Sequence, residues 1–162
     1  MGQGVTTGLA TLVGEELDVN PLDMDVRLAG AHEDYVNPLF GMQGTGGSTS
    51  IRAHYTQLRQ VGANTRALIL EAAAKDLGVA ASSLTTDNGY VVAGETRHPY
   101  ADFINTAQAL TIDADAPLKP TSQFQYIGQE TRRVDAIAKA TGTAQFGIDV
   151  DVPGMHYAVV VR

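Results

Sequence analysis

The stretch from Ser50 to Leu77 is the longest helical pattern in this chain, and it constrains the fold more than any other feature. Ile51, Leu58, Val61, Leu68 and Leu70 supply apolar positions. Ala63, Ala67, Ala72, Ala73 and Ala74 add a face of small residues, suited to tight packing against another helix. Ser48, Thr49 or Ser50 can cap its start, and Gly78 stands where a left-handed residue would end it. Arg52, Arg59 and Arg66 recur every seven residues on nearly one face. One reading makes them a solvated stripe. The other sets Arg52 apart, beside the cap, where a guanidinium can meet a phosphate.

A second helix is expected from Val5 to Leu17, with Val5, Leu9, Leu12, Val13 and Leu17 spaced by three and four. Thr6 or Thr7 can cap it. Gly8 and Gly14 lower its intrinsic helicity and read as close-packing positions. Glu15 and Glu16 lie toward its C-terminal end, where the helix dipole disfavours negative charge. They are therefore expected to be either solvated or matched by a partner.

Each helix follows a glycine-rich turn: Met1-Gly2-Gln3-Gly4 for the first, Gly44-Thr45-Gly46-Gly47-Ser48-Thr49-Ser50 for the second. Glycines let a backbone approach a ligand, and the first N–H groups of a helix have no partner inside it. Gln3 adds an amide that both donates and accepts. A glycine run at a chain start also fits a frayed end. The repetition of the design before the second helix favours an anion or polar-cofactor site.

Between and beyond the helices, Asn20-Pro21-Leu22-Asp23 reads as a turn. Met24 to Leu28 alternates as a half-buried strand would, which suggests a sheet-packed layer. Gly30 to Ser50 is a long connection without periodicity. It contains His32, Glu33 and Asp34, but adjacent side chains diverge and no second ligand pair follows at helical spacing, which disfavours a metal site. Asp87-Asn88-Gly89 between Leu84-Thr85-Thr86 and Tyr90-Val91-Val92 predicts a hairpin. Thr96 to Tyr100 adds a third short strand. A short helix should follow to Leu110, with Phe103, Ile104, Ala107 and Leu110 inward. Thr111 to Ser122, with Pro117 and Pro120, reads as a linker. Phe124 to Ile127 is strand-like, Asp135 to Gly142 a turn or short helix, and Met155 to Val161 an apolar β-type run. A terminal run of that kind needs sheet neighbours, so the sequence is expected to be an excerpt of a longer protein.

The 162 residues carry a formal net charge of −7. With no basic cluster, nucleic acid is excluded as a partner. There is no cysteine, so this chain makes no disulfide and ligates no iron–sulfur cluster. No apolar run is long enough to span a bilayer, and the chain does not open on an export signal. On its own it would be expected in the cytoplasm.

Four segments, in order, resemble the large subunit of molybdenum hydroxylases, the xanthine dehydrogenase and aldehyde oxidase family, in its isoquinoline 1-oxidoreductase beta branch. They are Met1-Gly2-Gln3-Gly4-Val5 with Glu15-Glu16-Leu17; Gln43 to Ser50; Leu58 to Ala63 through Glu71 to Ala74; and Tyr126-Ile127-Gly128 through Asp135, Lys139 to Gly142 and Phe146 to Val150, ending at Pro153-Gly154-Met155. The resemblance implies an α+β fold: residues 1–112 as part of a molybdopterin-binding domain with helices on a small mixed sheet, 113–123 as a linker, and 124–162 as the start of an α/β hammerhead-type domain. It implies that Gly2, Gln3 and Gly4 contact the molybdopterin cofactor, in its cytosine dinucleotide form. Ser48, Thr49 and Ser50 come next, then Arg52.

The parent enzyme so implied oxidises aldehydes or hydroxylates N-heteroaromatics with oxygen from water. It passes electrons to clusters on an iron–sulfur small subunit, and twin-arginine export to the periplasm is common in the branch. No acidic residue here matches the family's catalytic glutamate, so the chain alone is expected to be inactive, with no catalytic or metal-ligating residue assigned.

Two other classes compete. A non-catalytic α/β binding or assembly module would use the small-residue face and the last strand for docking, including self-association. A hydrolase using Ser48 or Ser50 with His54 fails because no acid is placed to orient the histidine.

Overall fold

A computed structural model describes residues 3–162. Two helices form its spine: α1, Val5–Leu17, and α2, Thr49–Leu77. They pack closely because glycine lies in the contact. A Cβ on Gly62 of α2 would stand 2.6 Å from the Val13 carbonyl oxygen, and one on Gly8 of α1 would stand 2.6 Å from Ile51 Cδ1. Gly14 is equally confined, with the Val19 carbonyl 2.5 Å from its missing Cβ. Gly8 and Gly14, expected to pack against another backbone, are both confined, but Gly8 by the Ile51 side chain and Gly14 by the turn that follows its own helix; Ala63, Ala72 and Ala73 are buried as the small-residue face requires.

Past Gly78, which ends α2 in the left-handed conformation, the chain forms β1 (Leu84–Asp87), β2 (Tyr90–Ala93) and β3 (Thr96–Pro99). They pair antiparallel in the order β1-β2-β3, with Thr85 opposite Val92 and Val91 opposite His98. The β1–β2 turn is Asn88-Gly89, both at positive φ (41° and 80°), the turn chemistry that a two-residue hairpin needs. Gly89 also donates its N–H to the Asp18 carbonyl (2.8 Å) and accepts from Tyr100 N–H (2.9 Å), which ties the hairpin to the end of α1. Ile69, Ala72, Ala73, Leu84, Val91, Tyr100 and Phe103 form the core between α2 and the sheet. The short helices α3 (Ile104–Gln108) and α4 (Ala136–Ala140) follow.

The fold is α+β, and its sheet is antiparallel throughout, not mixed. Three expected strands do not form. Met24–Leu28 is irregular, with Asp25 answered locally by Arg27. Phe124–Ile127 lies in turns, because a carboxylate and not a neighbouring strand takes its N–H groups. Met155–Val161 is irregular and open to solvent, with Tyr157 82% and Val161 92% exposed; among the described residues no strand lies beside it. Capping differs too. Gly4 (φ +80°) and Ser48 (φ 54°) occupy the N-cap positions, and neither helix has a side-chain cap among the described residues. Thr7 instead accepts from Val134 N–H (3.1 Å), and the Thr49 hydroxyl donates to the Gly46 carbonyl (2.8 Å) while accepting from Asn37 (3.0 Å).

Candidate functional site

The geometry starts from the acidic end of α1. Glu15 and Glu16 are fully buried, so the matched-partner expectation holds and the solvated one does not. Glu15 accepts the main-chain N–H groups of Gln125, Tyr126 (2.8 Å) and Ile127 (2.9 Å). Glu16 accepts from Arg59 Nε (2.8 Å) and Nη2 (2.6 Å), and from Lys119 N–H (3.0 Å). Asp18 pairs with Lys119 Nζ and with Arg66 (3.4 Å). Three carboxylates therefore face two buried cations, Arg59 and Lys119, and the half-buried Arg66, and buried charges of this kind are tolerated only when paired.

The arginine stripe divides accordingly. Arg59 is buried, its guanidinium 5.2 Å from the Tyr55 ring centroid and 4.9 Å from that of Phe124. Arg66 is half-buried and Arg52 exposed.

This network straps residues 115–127 onto both helices. Asn64 and Gln60 extend it: Asn64 Oδ1 accepts from Ala116 N–H (2.9 Å), and Gln60 donates to the Ala116 carbonyl (2.7 Å). The same segment shapes one phenol, since burial first, then the nearby Asp18 and Glu15 charges, raise the Tyr126 pKa. The strap then leads the chain back to the start of α1. There Val134 bonds Thr7, and Arg133 forks onto Asp135 (both bonds 2.9 Å). Lys139 Nζ approaches the same carboxylate at 2.6 Å. Hydrogen bonds from Lys139 and then Arg133 hold the Asp135 pKa down at about 2.

Two clefts open at this end. The first, of about 540 Å³, lies between the two glycine-rich turns. Gln3, Gly4, Val5 and Gly8 line one side, and Thr45, Gly46 and Ser48 through Ile51 line the other. The second, about 690 Å³, shares Gln3, Gly4, Val5 and Thr45 and runs on between the Met24–Leu28 region and residues 134–147. Gln3 and Gly4 are thus the ridge between them.

Of the residues expected at a site, Gln3, Gly4, Ser48, Thr49 and Ser50 meet in the first cleft. Arg52 lines neither cleft. Gly2 lies outside the described residues. Thr45 and Gly46, part of the second glycine-rich turn, also line it, and Val5, Gly8 and Ile51, read from the sequence only as helix-packing positions, join them. Among the described residues, no group of three or more His, Asp or Glu side chains gathers to hold a metal ion. His32 accepts from Asp34 N–H in an exposed turn. His54 Nδ1 lies 2.9 Å from the Ser50 carbonyl oxygen, which accounts for the pair without nucleophile chemistry.

Two helix starts without side-chain caps flank this cleft, and the Gln3 amide with the Ser48 and Ser50 hydroxyls places polar groups in a mostly apolar lining, an arrangement able to hold an anionic group at a helix start. Comparison with known proteins places the chain in a family. The family model of the molybdopterin cofactor-binding domain matches residues 1–160.

The chain belongs to the molybdopterin cofactor-binding domain family.

Named relatives agree with this family assignment. The chain is 33% identical to a membrane-bound aldehyde dehydrogenase [pyrroloquinoline-quinone] of Gluconacetobacter polyoxogenes, over 97% of this chain and 20% of that protein. It is 31% identical to the beta subunit of isoquinoline 1-oxidoreductase of Brevundimonas diminuta, over 99% of this chain and 25% of that relative. It is 32% identical to a nicotinate dehydrogenase subunit of Pseudomonas putida, over the whole chain and 13% of that relative. The chain therefore spans between about an eighth and a quarter of these relatives. Among the described residues, no helix is long and apolar enough to cross a membrane.

Proposed function

We propose that this chain forms one wall of the molybdopterin site in a molybdenum oxidoreductase large subunit. One observation carries the reading: two glycine-rich turns, distant in sequence, face a single cleft from the starts of α1 and α2. The donor set fits the cofactor. Main-chain N–H groups at the two helix starts suit its phosphate, and the Gln3 amide suits the edge of a pterin. Ser48 and Ser50 hydroxyls add donors on the opposite side, with Thr49 held by Asn37 and Gly46 to keep that turn in shape. Gly46, with nothing within 4 Å of where a Cβ would stand, keeps its wall free of a side chain where the ligand approaches. The second cleft, which shares Gln3, Gly4, Val5 and Thr45 with the first, would give room for the cytosine dinucleotide extension. Arg52, exposed beside the α2 start, is left with at most an outer electrostatic role.

When bound, the cofactor supplies two-electron oxidation with oxygen from water. The residues of this chain bind and orient it and provide no acid or base for the reaction, so the chain alone is inactive. The names of the relatives support an aldehyde or an N-heteroaromatic as substrate of the parent enzyme. Two of them are subunits, which supports a partner subunit, and an iron–sulfur small subunit is the partner this reading assigns. Residues 1–112, 113–123 and 124–162 are assigned to the partial cofactor-binding domain, a connecting strap and the start of a hammerhead-type domain.

The test is pterin retention. The chain is purified from a host that makes the cofactor, and released pterin is measured by its fluorescence after oxidation. The wild-type chain should carry pterin and Gln3→Ala should fall toward background with unchanged thermal unfolding. Equal pterin in both, or none in the wild type, would overturn the reading.

A further inference from the structure

Arg133 lies against the turn that the site depends on. A Cβ built on Gly4 would stand 3.3 Å from both Cζ and Nε of Arg133 and 3.5 Å from Nη2. The guanidinium therefore covers the Cα of a residue held at φ +80°. Its orientation is fixed from behind. Asp135 accepts from Nε and Nη2, each at 2.9 Å, and Lys139 Nζ braces Asp135 at 2.6 Å. The next residue, Val134, donates its N–H to Thr7 Oγ1 at 3.1 Å, so the segment is anchored to the first turn of α1 directly beside the contact. A bidentate fork fixes a plane as well as a distance, which a lysine at this position would not reproduce.

We propose that Arg133 is a positioning residue: held flat by Asp135, it fixes the left-handed Gly4 turn and so sets the direction in which Gln3 and the first N–H groups of α1 meet the cleft. Its value for cofactor binding rests on the function proposed above; its effect on the turn does not. The Glu15 and Glu16 network delivers this segment to the turn, through the strap at 115–127.

The experiment compares wild type, Arg133→Gln, Arg133→Lys and Asp135→Asn by amide hydrogen exchange and by ¹⁵N amide shifts on titration with inorganic pyrophosphate. In all three variants, exchange at Thr7, whose N–H bonds the Gly4 carbonyl, and at Gly8 should rise about tenfold or more while the hairpin amides at 84–99 stay protected. Arg133→Lys should not rescue it, although it keeps the charge. The Arg133 Nε–H resonance should be slow to exchange in wild type and fast in Asp135→Asn. In wild type, pyrophosphate should shift the Val5–Gly8 amides, and the variants should lose that response.

Unchanged exchange at Thr7 and Gly8 in the variants overturns the proposal, whatever pyrophosphate does. Raised exchange with no pyrophosphate response in any protein supports the positioning role and counts against the anion site. If Arg133→Gln does not fold, Asp135→Asn decides, since it releases the fork and leaves the arginine in place; full rescue by Arg133→Lys also overturns the proposal.

Discussion

Replacing Glu16 should be among the most damaging single changes in this chain. Its carboxylate has no exposure and takes two bonds from Arg59 and one from the Lys119 main chain. Glu16→Leu roughly fills the space but leaves the Arg59 charge buried, with its side chain only 9% exposed. Breaking a buried pair from one side costs about 3–5 kcal/mol. For a domain of this size that corresponds to a fall in Tm of about 6–20 °C. It also removes a large share of a total stability of about 5–15 kcal/mol. Arg59→Met as the second change removes the stranded charge and keeps apolar contact with Tyr55 and Phe124. The double variant should then cost at least about 2 kcal/mol less than the sum of the singles. Urea unfolding followed by circular dichroism measures all four corners of the cycle. A loss below about 1 kcal/mol for Glu16→Leu, or singles that add within about 0.5 kcal/mol, would refute the buried-pair reasoning.

Two further outcomes follow from the helix contact and the Asp135 cluster. Gly62→Ala should cost about 1–3 kcal/mol because its Cβ meets main chain, whereas Gly8→Ala meets the movable end of Ile51 and should cost less; thermal unfolding orders the two. Asp135 has its pKa lowered from 3.8 to about 2, so its ion pairs contribute fully above pH 4 and are lost as pH falls through about 2. A carboxyl-carbon NMR titration should give that low midpoint, and one near 3.8 would contradict the Arg133–Asp135–Lys139 geometry.

Local rules carried the helices and the hairpin. Both helices span the predicted ranges to within a residue, because apolar spacing and Gly78 act through neighbours in sequence. Asn88-Gly89 fixed the hairpin by backbone conformation alone. The strands expected at 24–28, 124–127 and 155–161 failed because alternation says only that a segment would suit a sheet, not that a neighbour will pair with it. At the site, the glycine-rich turns were legible as exposed helix starts. That they share one cleft depends on α1 crossing α2 at Gly8 and Gly62, which no local pattern shows. The unfavourable place of Glu15 and Glu16 on the helix dipole was a true signal of a partner. Its identity, backbone at 125–127 and Arg59, was a matter of long-range folding. Arg133 escaped for the same reason: nothing near it in sequence points to Gly4.

The most direct test of the account is a hydrogen-exchange footprint of the chain purified from a host that makes molybdopterin, against the same chain from a host that cannot. The account predicts protection in both glycine-rich turns together, at Gln3–Gly8 and at Thr45–Ile51, with no change across the hairpin at 84–99. Protection of one turn alone, or of neither, would contradict the claim that the two turns build one cofactor site.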